Sequence, residues 1–361
     1  MKSNERQEIN TLLQEIDGLL SAPFRFMEVC GTHTVAIFRT GLRSLFSDKL
    51  KHVSGPGCPV CVTHPAEIAL GMDLAEQKDV VLTIFGDMMR VPDHRGMTLK
   101  ELRAKGAKIE ICYSPLDSLK IAIENPDKEV VFWGIGFETT VPTVGATIVQ
   151  AQKMGIENFS VLSCHKLVPP ALRFLVTSKD IEIHGFLLPG HVSTVIGVKP
   201  YEFLAKEFNI PAVISGFEAI DILQAIYLMI KMDIGGNVRI LNQYTRAVKA
   251  EGNKRAQEII SEVFRPHDGL WRGIGTIEGS GLEISDKYSK FDAKKRFDLK
   301  FQDVKEPKGC RCGEVLQGKI SPDKCPLFGK KCTPLSPVGP CMVSTEGSCA
   351  AFYKYGLGSN D

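Results

Sequence analysis

From Val80 to Met232, short continuous apolar runs alternate with amphipathic segments, and this alternation limits the fold more than any other feature of the chain. VVLTIFGDM (80–88), KIEICYSP (108–115), VVFWGIGFETT (130–140), NFSVLSCHK (158–166), the apolar part of IHGFLLPGHVSTVIG and PAVISGF read as strands. The segments TLKELRAKG, PLDSLKIAIEN, PTVGATIVQAQKMG, PPALRFLVTS, PYEFLAKEF and EAIDILQAIYLMIKM read as helices between them. Strands without a polar face must be covered on both sides, and strands separated by helices run parallel. The predicted class is therefore α/β. Gly-Phe-Glu recurs at Gly136 and Gly216, and Gly55-Pro56-Gly57-Cys58 is echoed by Pro189-Gly190-His191. These echoes predict two similar parallel-sheet α/β domains, at 46–150 and 151–232.

Chemistry-bearing residues fall where strands end. NERQEINTLLQEIDGLL places apolar residues at helical spacing. FRFMEV then runs into Cys30-Gly31-Thr32-His33-Thr34 and a helical VAIFRTGLRSLF. A thiol at a helix start is expected to be acidified by the helix dipole, and His33 lies close by in sequence. The next strand-like run ends in Gly55-Pro56-Gly57, followed by Cys58-Pro59-Val60-Cys61 and a helix starting near Thr63-His64-Pro65. A C-x-x-C at a helix start suits dithiol redox work or metal binding, and the chain has no second such pair to complete a zinc site. Gly136-Phe137-Glu138-Thr139-Thr140 reads as a backbone cradle for an anion. His165, Lys166 and His191 also stand at strand ends, whereas Cys112 and Cys164 read as core. There is no P-loop and no dinucleotide fingerprint. Residues 237–264 read as a charged helical stretch, and HDGLWRGIGTIEGSGLEI as a Gly-rich hairpin.

The last fifth of the chain is different. Six of the eleven cysteines fall between Cys310 and Cys349, in a segment crowded with Gly, Pro and Lys. With so little apolar sequence it needs a cross-link to hold one shape, either a metal centre or disulfides. The spacing is neither a paired zinc knuckle nor the tight ferredoxin run, and it does not select which four of the six would bind a cluster. The charged N-terminus has no signal-peptide core, and no run reaches the roughly 18 apolar residues of a membrane span. A cytoplasmic protein with reduced thiols is expected, which favours metal over disulfides. A net charge of +2 gives no reason to expect nucleic acid or a membrane surface as partner.

CGTHT, GPGCPVC, GFETT, HKLVPPA, LPGHVSTVIG, ISGFE and the cysteine tail, in this order, closely resemble the HypD family of hydrogenase maturation factors over nearly the whole chain. The resemblance implies assembly of the iron–dicyanide–carbonyl unit of [NiFe]-hydrogenases. A small HypC-type chaperone and a HypE-type cyanide donor carrying a thiocyanate would be the partners. It also implies a third, mostly helical or irregular domain built from both termini, 1–45 and 233–361, carrying a [4Fe-4S] cluster. The family motif C-x14-C-x6-C-x16-C falls on Cys310, Cys325, Cys332 and Cys349. Cys312 and Cys341 are left as a redox pair beside the cluster. Cys30 and a thiol of Cys58 or Cys61 are then the candidate ligands of transiently bound iron carrying cyanide and CO, because such soft iron favours thiolates. His33 is the expected donor or proton source at that iron, and Glu346 a carrier of protons. Electrons would pass by thiol–disulfide exchange through Cys312/Cys341 to Cys58/Cys61. The alternative is an iron–sulfur thiol–disulfide oxidoreductase without iron cargo.

Overall fold

The computed structural model describes residues 3–178 and 180–356. Its strands are β1 (Phe24–Glu28), β2 (Leu50–Ser54), β3 (Val80–Ile84), β4 (Lys108–Ile111), β5 (Glu129–Gly134), β6 (Phe159–Ser163), β7 (Gly185–Pro189), β8 (Ala212–Ser215), β9 (Ile240–Asn242), β10 (Phe264–Trp271) and β11 (Gly275–Ile284). Two sheets are wholly parallel, one in the order β4-β3-β5-β6 and the other in the order β2-β1-β7-β8-β9. The apolar runs explain this directly: β3, β6, β7 and β8 are buried at every position, as strands covered on both faces must be.

Counted within each sheet in chain order, both begin 2-1-3-4, and the larger adds a fifth strand at its far edge. The two parallel-sheet units are thus built alike. The Gly-Phe-Glu echo does not mark equivalent places, however. It follows the third strand of one sheet (β5) and the fourth of the other (β8).

Sheet membership also runs across the boundaries expected at 45/46, 150/151 and 232/233. Strand β1 lies between β2 and β7, β2 joins β1 instead of β3, β6 completes the smaller sheet, and β9 edges the larger one. The helix Ser3–Leu19 packs along the helix Ala219–Gly235, burying Ile9 and Ile16 with Ile222, Ile226 and Met229. Full burial of each such side chain stabilises by about 1.5–3 kcal/mol, which fastens the N-terminal segment to the five-stranded unit.

The expected helix over 237–264 is shorter than its pattern suggests. Strand β9 comes first, and the helix runs only over Lys254–Val263. Gly252, at φ +69°, breaks the chain there, and the Asn253 side chain caps the new helix by accepting the Ala256 N–H. The Gly-rich segment forms the antiparallel hairpin β10–β11 as predicted. Gly273 at its tip, φ +66°, lies so close to Gly313 that a Cβ would come within 2.2 Å of the Gly313 Cα. The Arg272 N–H also bonds the Val62 carbonyl at 2.9 Å, and Gln317 Nε2 donates to Gly273 O at 2.9 Å. The hairpin tip is therefore wedged between the Cys58–Cys61 turn and the start of the cysteine-rich segment.

Candidate functional site

In the larger sheet the connections leave β1 toward β2 on one side and reach β7 on the other. A doubly wound sheet opens a crevice at that switch point, outside the carboxyl ends of its strands. Val29-Cys30-Gly31 and Gly190-His191 occupy it here, just beyond β1 and β7.

Cys30 is the N-cap residue of the helix Gly31–Arg39, with extended backbone. The backbone N–H groups of His33 and Thr32 reach its sulfur. Even so, the acidic thiol expected at this helix start is not found. Burial, followed by the nearby Glu346 carboxylate, pushes Cys30 up from 9.0 to about 12. That shift corresponds to about 4 kcal/mol, against about 0.3–1 kcal/mol for a charge at a helix terminus, so burial decides the outcome. Bound as a thiolate, this sulfur needs a cation to replace the lost solvation.

The surroundings of Cys30 come from four parts of the chain. Glu28 is fully buried, takes the Cys30 N–H on Oε2 at 3.0 Å and the Thr34 hydroxyl on Oε1 at 2.5 Å, and burial pushes it up to about 8. Glu346 accepts the Thr32 hydroxyl at 2.8 Å, and a Cβ on Gly31 would meet the Glu346 Cβ at 2.5 Å. Glu346 thus lies at the Cys30 pocket, although in sequence it sits inside the cysteine tail. His33 donates from Nε2 to the Gly216 carbonyl at 2.8 Å, so its buried Nδ1 is the unprotonated nitrogen and has no partner. Burial pushes this imidazole down to about 4. The His33 N–H is thus engaged by the Gly216 carbonyl in this arrangement. Phe217 stacks between His33 and His191, with ring centroids at 4.7 and 4.0 Å.

Glycine sets the approach of the C-x-x-C turn. The Gly31 N–H bonds the Gly57 carbonyl at 2.9 Å, and a Cβ on Gly57 would fall 2.1 Å from the Cys30 nitrogen. Only glycine lets the loop Gly55–Gly57 lie against Cys30. Cys58 and Cys61 follow, disulfide-bonded, on the one-turn helix Pro59–Val62. This turn packs against both the helix Cys312–Leu316 and the helix Pro340–Val343.

All six cysteines of the tail line one cavity, together with Val315, Leu327, Phe328 and Met342. Cys312 and Cys341 are the most deeply buried of the six. They are in side-chain hydrogen-bond contact, which with burial pushes the Cys312 thiol well up. Cys341 also accepts the Cys349 N–H at 3.4 Å. Among the described residues no three His, Cys, Asp or Glu side chains converge as a single metal ion requires. A [4Fe-4S] cube does not ask for that convergence, because each thiolate binds a different iron. An apolar cavity offering only soft sulfur donors fits such a group.

The other strand-end residues are structural. Lys166 and Glu67 form a buried ion pair at 2.5 Å, and His165 shares a hydrogen bond with Ser163 at 3.0 Å. The expected anion cradle at 136–140 is filled from within. Glu138 turns its own buried carboxylate inward, where Oε1 accepts the Val168 N–H at 2.9 Å. The motifs GFETT and HKLVPPA are joined by that bond. Cys112 and Cys164 are buried, as expected. Glu28 and Phe217 escape a reading by motif, because the pairing of β7 with β8 that brings Phe217 to His191 is not written in either segment alone.

Fold and site together define a two-sheet α/β protein whose thiols gather at one switch point and in one adjoining cavity. The family model described as HypD, hydrogenase formation hypA family, matches residues 7–356. The chain is 46% identical over 341 residues to hydrogenase maturation factor HypD2 of Bradyrhizobium diazoefficiens, covering 92% of this chain and 90% of that protein. It is 44% identical over 340 residues to HypD of Cupriavidus necator, with 92% and 90% covered. To HypD of Escherichia coli it is 45% identical over 334 residues, with 92% and 89% covered. The chain belongs to the HypD family of hydrogenase maturation factors. Among its described residues no helix is long and apolar enough to cross a membrane.

Proposed function

We propose that this protein is a scaffold and redox factor on which the iron–dicyanide–carbonyl group of [NiFe]-hydrogenases is assembled in the cytoplasm. One observation carries the reading. The Cys30 pocket, the Cys58–Cys61 turn and the six-thiol cavity form one unbroken series of contacts. Iron is the cargo, held by Cys30 and by Cys58 or Cys61 after reduction, with the remaining positions open to cyanide, CO and the cysteine of a HypC-type chaperone. A HypE-type protein supplies cyanide from its thiocyanate.

Cys310, Cys325, Cys332 and Cys349 would hold a [4Fe-4S] cluster, which when bound supplies electrons singly. The protein's own step is thiol–disulfide exchange. The Cys312 and Cys341 thiols lose two electrons and two protons and form an S–S bond. The Cys58–Cys61 bond breaks and takes up both, leaving two thiols that can bind iron as thiolates. Glu346, which accepts the Thr32 hydroxyl near Cys30, would take up a proton released there.

Infrared spectroscopy of the protein purified with its chaperone tests the assignment. Bands in the cyanide and carbonyl region are expected, and Cys30→Ser should remove them while the chaperone remains bound. A complex without such bands would leave a thiol–disulfide oxidoreductase without iron cargo.

A further inference from the structure

A second cleft, with a volume of about 320 Å³, opens between β2 and the segment Gly318–Pro322 that leads toward Cys325. Arg25, Arg43, Lys51 and Lys319 line it, and no carboxylate does. Their own counter-charges are distant or solvated. Lys51 lies 3.6 Å from the exposed Asp48, and Lys319 lies 3.8 Å from the exposed Asp180. Arg43 lies over the contacting rings of Phe38 and Phe352, 4.9 Å from each centroid, with Asp323 as a favourable charge nearby. Arg25 donates one Nη to the Gly318 carbonyl at 3.4 Å, while its buried Nε has no partner.

A second, independent feature is His52, which also lines the cleft. Its side chain is 1% exposed, yet neither ring nitrogen has a hydrogen-bond partner, and the nearest carboxylate oxygen, Glu28 Oε1, stands 3.6 Å from Nε2. Native interiors seldom leave buried polar atoms unpaired without a functional or solvent partner. Val53, Val315, Ile320 and Pro322 make up the apolar part of the wall.

We propose that this cleft binds an organic phosphate, its anionic head on Arg25, Arg43, Lys51 and Lys319 and its uncharged body against the apolar part of the wall. Four cations exceed what a single carboxylate needs. Guanidinium groups match the several oxygens of a phosphate, and the volume lies within the usual range for a small-molecule site. None of the four cations belongs to the thiol centre, although Val315 lines both cavities. A ligand seated there would tie the edge strand β2 to the segment that carries the chain toward the cysteine cavity.

Calorimetric titration of the full-length protein with phenyl phosphate, orthophosphate and benzoate tests the proposal. Phenyl phosphate should bind saturably at one site, tighter than orthophosphate and much tighter than benzoate. The double substitution Lys51→Gln/Lys319→Gln should weaken phenyl phosphate by about tenfold or more without changing the melting temperature. Arg43→Gln should weaken it as well. Absence of saturable binding, or binding unchanged by the lysine substitutions, would overturn the site. Equal affinity for orthophosphate or for benzoate would overturn the assignment to an organic phosphate.

Discussion

Glu138→Gln should make the protein more stable above neutral pH and flatten part of its pH dependence. Burial pushes the Glu138 carboxyl up from 4.5 to about 7, with one oxygen on the Val168 N–H and the other buried without a partner. Below pH 4.5 the group is protonated in both the folded and the unfolded chain, so it contributes no pH dependence. As pH rises from there, the unfolded carboxyl ionises first while the folded one keeps its proton, so folding loses about 1.4 kcal/mol per pH unit. The loss reaches about 3 kcal/mol at pH 7 and levels off above it. Glutamine retains a carbonyl oxygen for Val168 and carries no charge at any pH. Urea unfolding followed by the fluorescence of Trp133 and Trp271, both buried, reads the effect at a series of pH values. Subtracting the wild type from the variant cancels Glu28, which works in the same direction, and the buried histidines, which work in the opposite one. The difference should grow by about 3 kcal/mol in favour of Glu138→Gln between pH 4.5 and 7. A difference independent of pH would show that this carboxylate is ionised in the folded protein and that the argument is wrong.

Two further substitutions probe the thiol centre. Gly57→Ala must move a Cβ away from a point 2.1 Å from the Cys30 nitrogen, so it should cost about 1–3 kcal/mol and lower the melting temperature measurably. Cys325→Ala should abolish the visible iron–sulfur absorption and loosen the cysteine lobe to proteolysis, because loss of a ligand removes the tie on a segment with little core of its own. A mutant with full iron and sulfide content would refute its role as a ligand.

The identity of the elements was legible because burial on both faces leaves a continuous apolar run, and helices leave their own period. Strand pairing was not legible. Nothing local in FRFME says that Phe26 will face Gly185, or that β2 will turn away from β3. The density of thiols in the tail was plain, and the structure adds that all six meet. The position of Glu346 against Gly31 and Thr32 depends on a contact across 314 residues and leaves no trace in the local pattern. Cys30 shows the limit of a local rule. A helix start does favour a thiolate, but the favour is small beside the desolvation that only the folded protein imposes. The cradle at 136–140 failed for a related reason, since the motif carries its own carboxylate into the space that an anion would need.

The division of the six clustered cysteines into four ligands and a redox pair stands or falls with Cys341→Ala. Cys341 lies in contact with Cys312 on one of the two helices that pack on the Cys58–Cys61 turn. Iron and acid-labile sulfide should be counted in the purified variant, and hydrogenase maturation assayed in cells that carry it. An intact four-iron cluster with maturation lost is the expected result. Loss of the cluster would make Cys341 a ligand, and an intact cluster with normal maturation would remove the second pair from the mechanism.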